Sequence, residues 1–198
     1  ITVMIGVLVF LQISESPEIE KTVETPSLYV LSNLALKEKL AEQKIQMSSP
    51  IKLAKQEDVK KYCSFFTSEE NQQMVQYCTS TELKDDSGVF LGNIHMVGTV
   101  TEPKITLTLI QTNSASDLDD VKTVFATVSD VVVCDCWAEQ KPGGLDDIGQ
   151  WVDGLYQFHT SDTKPHSKSS VLPLDGKSLQ LELSTNEQGY LWQFFIYS

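Results

Sequence analysis

Residues 179–197 read LQLELSTNEQGYLWQFFIY, and they have the clearest strand pattern of the chain. Leu179, Leu181 and Leu183 alternate with polar residues, which is typical of a strand with one buried face. A turn-forming run follows, and residues 190–197 return with apolar side chains on both faces. The pattern predicts a β-hairpin whose second strand is either central in a sheet or covered by another chain.

A second hairpin is predicted upstream, from residues 89–97 and 104–111. In its second strand Ile105, Leu107 and Leu109 alternate with threonines, and Gly98 begins the connection. Two hairpins separated by helical segments are typical of an α+β protein with an antiparallel sheet.

Helical patterns occupy much of the remaining chain. Residues 27–47 are rich in strong helix formers, and Ser27 is placed to act as their N-cap. The predicted helices cover residues 27–47, 56–66, 67–78, 117–129 and 145–159. Residues 130–137 (DVVVCDCW) fit either a buried strand or a continuation of the preceding helix. We therefore expect an α+β fold, in which an antiparallel sheet of four to five strands is built from two hairpins and the helices pack on one face.

The chain divides into three parts by composition. Residues 1–13 (ITVMIGVLVFLQI) form an uncharged apolar leader, and residues 14–26 read as an extended linker with acidic residues and two prolines. Residues 27–198 are predicted to form one extracytoplasmic domain, mainly helical over 27–84 and mixed over 85–198.

The leader has three interpretations. As a helix it would reach only about 20 Å, short of the bilayer core of about 30 Å, so it would be the end of a truncated signal anchor whose start precedes Ile1. Alternatively it serves assembly, either as a strand that completes the sheet of another subunit or as a helix in a filament core. The third interpretation is a core strand of the domain itself. The residues assigned to assembly are Ile1, Val3, Ile5, Val7, Val9 and Leu11.

Charge excludes one class of partner. The formal net charge is −12, and the basic residues are all Lys, with no Arg in the chain. Arginine provides the planar group that grips phosphate, so an acidic chain without it is poorly suited to binding nucleic acid. We expect no nucleic-acid partner, and an acidic surface that keeps an exported protein soluble.

Four cysteines are an even number, which suits disulfides in an oxidising compartment. Of the three full pairings we favour Cys63 with Cys78, whose loop of about 15 residues would contribute roughly 3 kcal/mol. Cys134 and Cys136 are a further candidate disulfide. Side chains two residues apart diverge in both helices and strands, so such a bridge would be strained, and bonds elsewhere or free thiols are alternatives.

A soft-metal site is the other chemical hypothesis for the second cysteine pair. Cys134 and Cys136 could join His95, His159 or His166 to bind zinc or copper. The spacing lacks the regularity of a zinc knuckle, so apart from this hypothesis we predict no cofactor.

Catalytic motifs are missing from the sequence, and the paired acids have a structural explanation. Asp119 with Asp120, and Asp146 with Asp147, each open a predicted helix, where the helix dipole favours negative charge. We predict a non-enzymatic extracytoplasmic structural or accessory subunit, tethered to a membrane or assembled with other chains through residues 1–13. The alternatives are a pilus-like filament subunit that polymerises by insertion of its N-terminal segment, and a copper- or zinc-binding protein.

Overall fold

The computed structural model describes residues 27–63, 75–113, 118–161 and 164–198. The predicted leader 1–13, its assembly residues and the linker 14–26 lie outside the described residues, as does most of the predicted helix 67–78.

Helices and an antiparallel sheet together make up the described chain, which confirms the α+β class. The helices are α1 (Leu28–Glu42), α2 (Gln56–Tyr62), α3 (Leu118–Val132), α4 (Trp137–Gln140) and α5 (Ile148–Ser161), with a 3-10 turn at Pro142–Gly144. The strands are β1 (Gln46–Met47), β2 (Ile51–Leu53), β3 (Tyr77–Lys84), β4 (Phe90–Gly98), β5 (Pro103–Thr112), β6 (His166–Lys168), β7 (Leu172–Leu174), β8 (Lys177–Asn186) and β9 (Gly189–Tyr197).

The sheet is larger than predicted. In the described part of the chain it has nine strands rather than four to five, in the order β1-β3-β4-β5-β9-β8-β6, with β2 also paired to β3 and β7 to β8. The antiparallel pairs β4–β5 and β8–β9 lie close to the two predicted hairpins, and β5 joins them by pairing along β9. Four of the unpredicted strands have only two or three residues, which is too few to show an alternating pattern in the sequence.

Strand β3 corrects the prediction of a helix that reaches Cys78. Residues 77–84 pair with β4 over the whole length of β3. Thr79 and Thr81 are buried on one face of this strand, so a hydrophobic count misses its alternation even though threonine favours strands.

One face of the sheet, which we call the first face, supports most of the helices. The alternation of β8 and β9 directs Leu181, Trp192 and Phe194 into the main core. Helices α3 and α5 cover these side chains, with Val124, Phe125 and Val152 in the same core, and α1 packs beside α3 and against β1. Phe125 and Phe194 have ring centroids 5.1 Å apart.

The opposite face, which we call the second face, carries α2. Val59 and Cys63 pack there against Val97, Leu107 and Phe195. The helices therefore do not all pack on one face, contrary to the sequence prediction. A disulfide from Cys63 to Cys78 in β3, with Cα atoms 6.5 Å apart, attaches the end of α2 to the sheet.

Helix ends differ from the sequence prediction by a few residues. Helix α1 stops at Glu42, and Lys44 adopts a left-handed conformation (φ 63°) that turns the chain into β1. Helix α3 continues through Val131 and Val132. Of the segment 130–137, which fitted either a strand or a helix, residues 130–132 are therefore helical. Within the described ranges, no helix combines the length and apolar character needed to cross a bilayer.

The two disulfides close loops of very different length, which predicts different contributions to stability. Replacing Cys63 and Cys78 by Ala should lower the free energy of unfolding by about 3 kcal/mol or more, because the unfolded chain regains a 15-residue loop and two buried sulfurs are lost. The matched control replaces Cys134 and Cys136 by Ala and should cost only about 1 kcal/mol. Urea unfolding of both variants measures this difference, and equal losses would contradict it.

Candidate functional site

A cleft of about 380 Å³ opens at the end of α3, and we call it the acidic cleft. Its walls come from the last turns of α3, the loop 133–136, α4 and the start of α5. The residues that line it are Ala126, Ser129, Asp130, Asp135, Cys136, Trp137, Ala138, Glu139, Asp146, Asp147 and Ile148. Five of these side chains are carboxylates and none is basic, so the cleft is strongly negative.

The apolar part of the cleft is held in place by the core. Trp137 is buried, its indole Nε1 donates a hydrogen bond to the Leu145 carbonyl oxygen (3.2 Å), and its ring lies 5.9 Å from that of Trp151. Ile148, at the first turn of α5, is also buried in this cluster. These contacts give the cleft a rigid apolar side beneath its carboxylates.

Two of the five carboxylates have structural duties. Asp147 accepts a hydrogen bond from the Gln150 backbone N–H (2.8 Å) and so caps the start of α5. Asp146 forms an ion pair with Lys141 (2.6 Å) at the rim, and its pKa is lowered by that hydrogen bond and by a second one from Gln150. The position of this pair at a helix start is the one that the sequence pattern indicated.

The other three carboxylates lack such duties. Asp135 and Glu139 are exposed and make no ion pair within the described ranges. The pKa of Asp130 is raised, first by loss of surrounding water and then by the negative charge of Asp135, while Lys39 opposes the shift. Asp130 and Asp135 therefore repel each other, and a cation in the cleft would relieve that repulsion.

Ser129 also lines the cleft. The residue is 1% exposed, and its Oγ, like that of Thr108 or Thr112 in the sheet, has no hydrogen-bond partner among the described residues. A helical serine ordinarily bonds back to a carbonyl oxygen of its own helix, or reaches water, because a buried unpaired hydroxyl is costly. Ser129 therefore places an unpaired hydroxyl among the residues that line a negative cleft.

Cys134 and Cys136 are bonded to each other, with Cα atoms 5.2 Å apart. Side chains two residues apart diverge in a regular helix or strand, but residues 133–136 form neither. The backbone N–H groups of Val133 and Cys134 both donate to the Ser129 carbonyl oxygen, so the chain turns sharply at the end of α3. The bridge closes this turn and leaves Asp135 at its tip.

The structure does not bring His95 to the two cysteines of the soft-metal hypothesis. His95 pairs in register with Leu107 of the second face, whereas Cys134 and Cys136 pack against the core of the first face. His159 is buried elsewhere, between the hydroxyls of Ser167 (2.9 Å) and Thr185 (2.8 Å).

His166 is paired with Glu182 (3.2 Å), on β6 and β8. A search of the described ranges finds no group of three or more His, Cys, Asp or Glu side chains able to hold a metal ion.

Sequence reasoning missed the acidic cleft as a site. In the sequence, its signal is a concentration of acidic residues between positions 130 and 147. The preference of a helix start for negative charge explains only the pair at 146 and 147. Spacing cannot show that three separate segments face one another, and no sequence pattern marks an unpaired serine hydroxyl.

Comparisons of the chain with protein-family models, curated proteins and solved structures find no match. The acidic cleft itself can hold a positively charged group beside an apolar surface.

The buried His95 predicts acid sensitivity. Burial lowers its pKa from 6.5 to about 4, so the folded protein keeps it neutral, while the unfolded chain takes up a proton near its ordinary pKa. Its contribution to stability is complete above about pH 6.5 and is lost as the pH falls towards 4, by about 3 kcal/mol in total.

His95→Gln should therefore unfold with a smaller loss of stability between about pH 7 and about pH 4 than the parent protein. Urea unfolding at both pH values measures the difference. Parallel losses in the two proteins would show that His95 contributes nothing to the acid sensitivity.

Proposed function

We propose that this chain is a non-enzymatic accessory subunit of the extracytoplasmic side, held at a membrane or against other chains by residues 1–13 and by the outer face of α1. The observation that carries the proposal is an exposed row of leucines on α1. Leu28, Leu31 and Leu34 are 50%, 46% and 61% exposed, and their spacing of three residues sets them along one side of the helix.

The first half of helix α1 is apolar on both sides, whereas Lys37, Glu38 and Lys39 are exposed further along. Its inner side buries Tyr29, Leu36 and Leu40 in the main core. Exposed apolar side chains that lie together often mark interaction sites, so the outer leucines favour a partner surface. The linker leads directly into this helix, which makes the leader and the leucine row neighbours along the chain.

The start of α1 is firmly positioned. The Tyr29 hydroxyl lies 2.8 Å from the Thr99 carbonyl oxygen and 3.0 Å from that of Glu102, in the connection between β4 and β5. The point where the linker enters is thus fixed to one end of the sheet. A tether attached there would act on the fold from that end of the sheet.

The edges of the sheet favour contact through α1 rather than through strand addition. The long outer strands β3 and β8 are already paired, β3 with β1 and β2, and β8 with β6 and β7. Short outer strands are a common means by which proteins prevent edge-to-edge association.

The cysteines support the assigned compartment. All four are paired, one disulfide joining α2 to β3 and the other closing the turn that follows α3. Disulfides persist outside the reducing cytoplasm, so this full pairing favours an extracytoplasmic location.

Deleting residues 1–13 tests the tether. The truncated protein should move from the membrane or polymer fraction to the supernatant on ultracentrifugation, with an unchanged melting temperature, because its described core is intact. Deleting residues 14–26 is the matched control, since it removes the same number of residues but keeps the apolar segment. If the 1–13 deletion still sediments, the proposed tether is wrong; loss of polymers rather than of membrane association would favour the filament alternative.

Leu34→Glu tests the outer face of α1. It should reduce the fraction of the full chain that sediments at least several-fold. The free energy of unfolding should stay within about 0.5 kcal/mol of the parent value, as expected for an exposed site. Val171→Glu is the control, because Val171 is similarly exposed (51%) and lies far from α1 in sequence. Equal effects of the two substitutions would remove the leucine row from the proposal.

A further inference from the structure

We propose that the acidic cleft binds an aliphatic polyamine, that is, a small organic cation with two or more ammonium groups joined by methylene chains. The inference goes beyond the accessory role proposed above and does not depend on it. It rests on the charge of the cleft, the unpaired Ser129 hydroxyl and the shape of the apolar wall.

Charge selects a cation with several positive groups. The carboxylates come from three chain segments. Asp130 lies in α3, and Asp135 and Glu139 lie in the loop 133–136 and in α4. Asp146 and Asp147 lie at the start of α5. The nearby ammonium of Lys141 is already committed to Asp146. A ligand with separated ammonium groups can form ion pairs with carboxylates of different segments at the same time, which a single point charge cannot.

The Ser129 hydroxyl indicates a ligand that hydrogen-bonds. Ser129 is one of the lining residues of the cleft, and its buried Oγ lacks a partner among the described residues. An ammonium group has three N–H donors, so it can donate to this oxygen and to a carboxylate together. A bound amine would thereby satisfy a polar atom that the described structure leaves unpaired.

The apolar wall suits methylene groups better than a hydrated metal ion. Trp137 and Ile148 provide buried hydrophobic surface beside the carboxylates, and an aromatic ring also attracts an organic cation. The volume of about 380 Å³ lies in the range of small-molecule sites. Within the described ranges the acidic residues do not form a metal-binding group.

The Cys134–Cys136 bridge has a positioning role in this site. It closes the turn that carries Asp135, and Gln140 donates from Nε2 to the Cys136 Sγ (3.2 Å), which links the bridge to the end of α4. Acidic neighbours disfavour the thiolate needed for disulfide exchange, so the surroundings suit a stable bridge. A pre-formed loop reduces the ordering cost of binding.

Titration calorimetry of the oxidised full chain with spermidine at about 0.1 M ionic strength, where the Debye length is about 10 Å, tests the proposal. We expect saturable binding with one molecule per chain and none with hexane-1,6-diol, which has methylenes but no charge. The double variant Asp135→Asn/Glu139→Gln should bind spermidine at least ten-fold more weakly. The control Asp86→Asn/Glu187→Gln removes the same charge from exposed sites elsewhere and should stay within about two-fold of the parent, because distant exposed charges are largely screened.

Ser129→Ala separates binding from folding. Because the Oγ makes no bond in the described structure, its removal should leave the melting temperature unchanged or raised, while spermidine binds several-fold more weakly. No saturable binding to the parent protein, or equal weakening in the two double variants, would overturn the proposal. So would magnesium at the same concentration displacing spermidine completely, or a lysine-rich peptide binding more tightly than spermidine.

Discussion

The pairing of β5 with β9 is the interaction on which the rest of the structure depends. It runs from Ile105 opposite Tyr197 to Thr112 opposite Tyr190, and it joins two hairpins that would otherwise be separate. Each side of this seam carries a core, with Phe194 facing α3 and α5 and Phe195 facing α2. Because strand residues alternate between faces, one register determines both sets of contacts, and a shift by one residue would exchange them.

The two faces of the sheet are stabilised in different ways. Among the described residues, three helices bury the first face in one large hydrophobic core, whereas the second face has one short helix held by the Cys63–Cys78 disulfide. The second disulfide lies away from the sheet, where α3 ends and the chain turns beneath the acidic cleft. The Cys63–Cys78 disulfide therefore stabilises the fold, whereas the Cys134–Cys136 disulfide shapes the turn beside the acidic cleft.

The leucine row of α1 and the acidic cleft give the molecule two chemically distinct surfaces. One is apolar and adjoins the linker, so it suits attachment. The other combines several carboxylates with a buried tryptophan and an unpaired serine hydroxyl, so it suits a charged organic ligand. Attachment and ligand binding could thus operate in one chain without competing for the same residues.

The sequence by itself determined the α+β class, the approximate hairpins around β4–β5 and β8–β9, and the helices α3 and α5, because these elements have strong and local hydrophobic periods. Only the tertiary structure decided the nine-stranded order, the position of α2 on the second face and the convergence of Ser129, Asp135 and Asp146 on one cleft. The physical reason is distance along the chain. Periodicity in the sequence indicates which side of a helix or strand is buried, but strands of two or three residues are too short to show a period. Contacts between segments that are distant in the chain depend on tertiary packing, which no local pattern encodes.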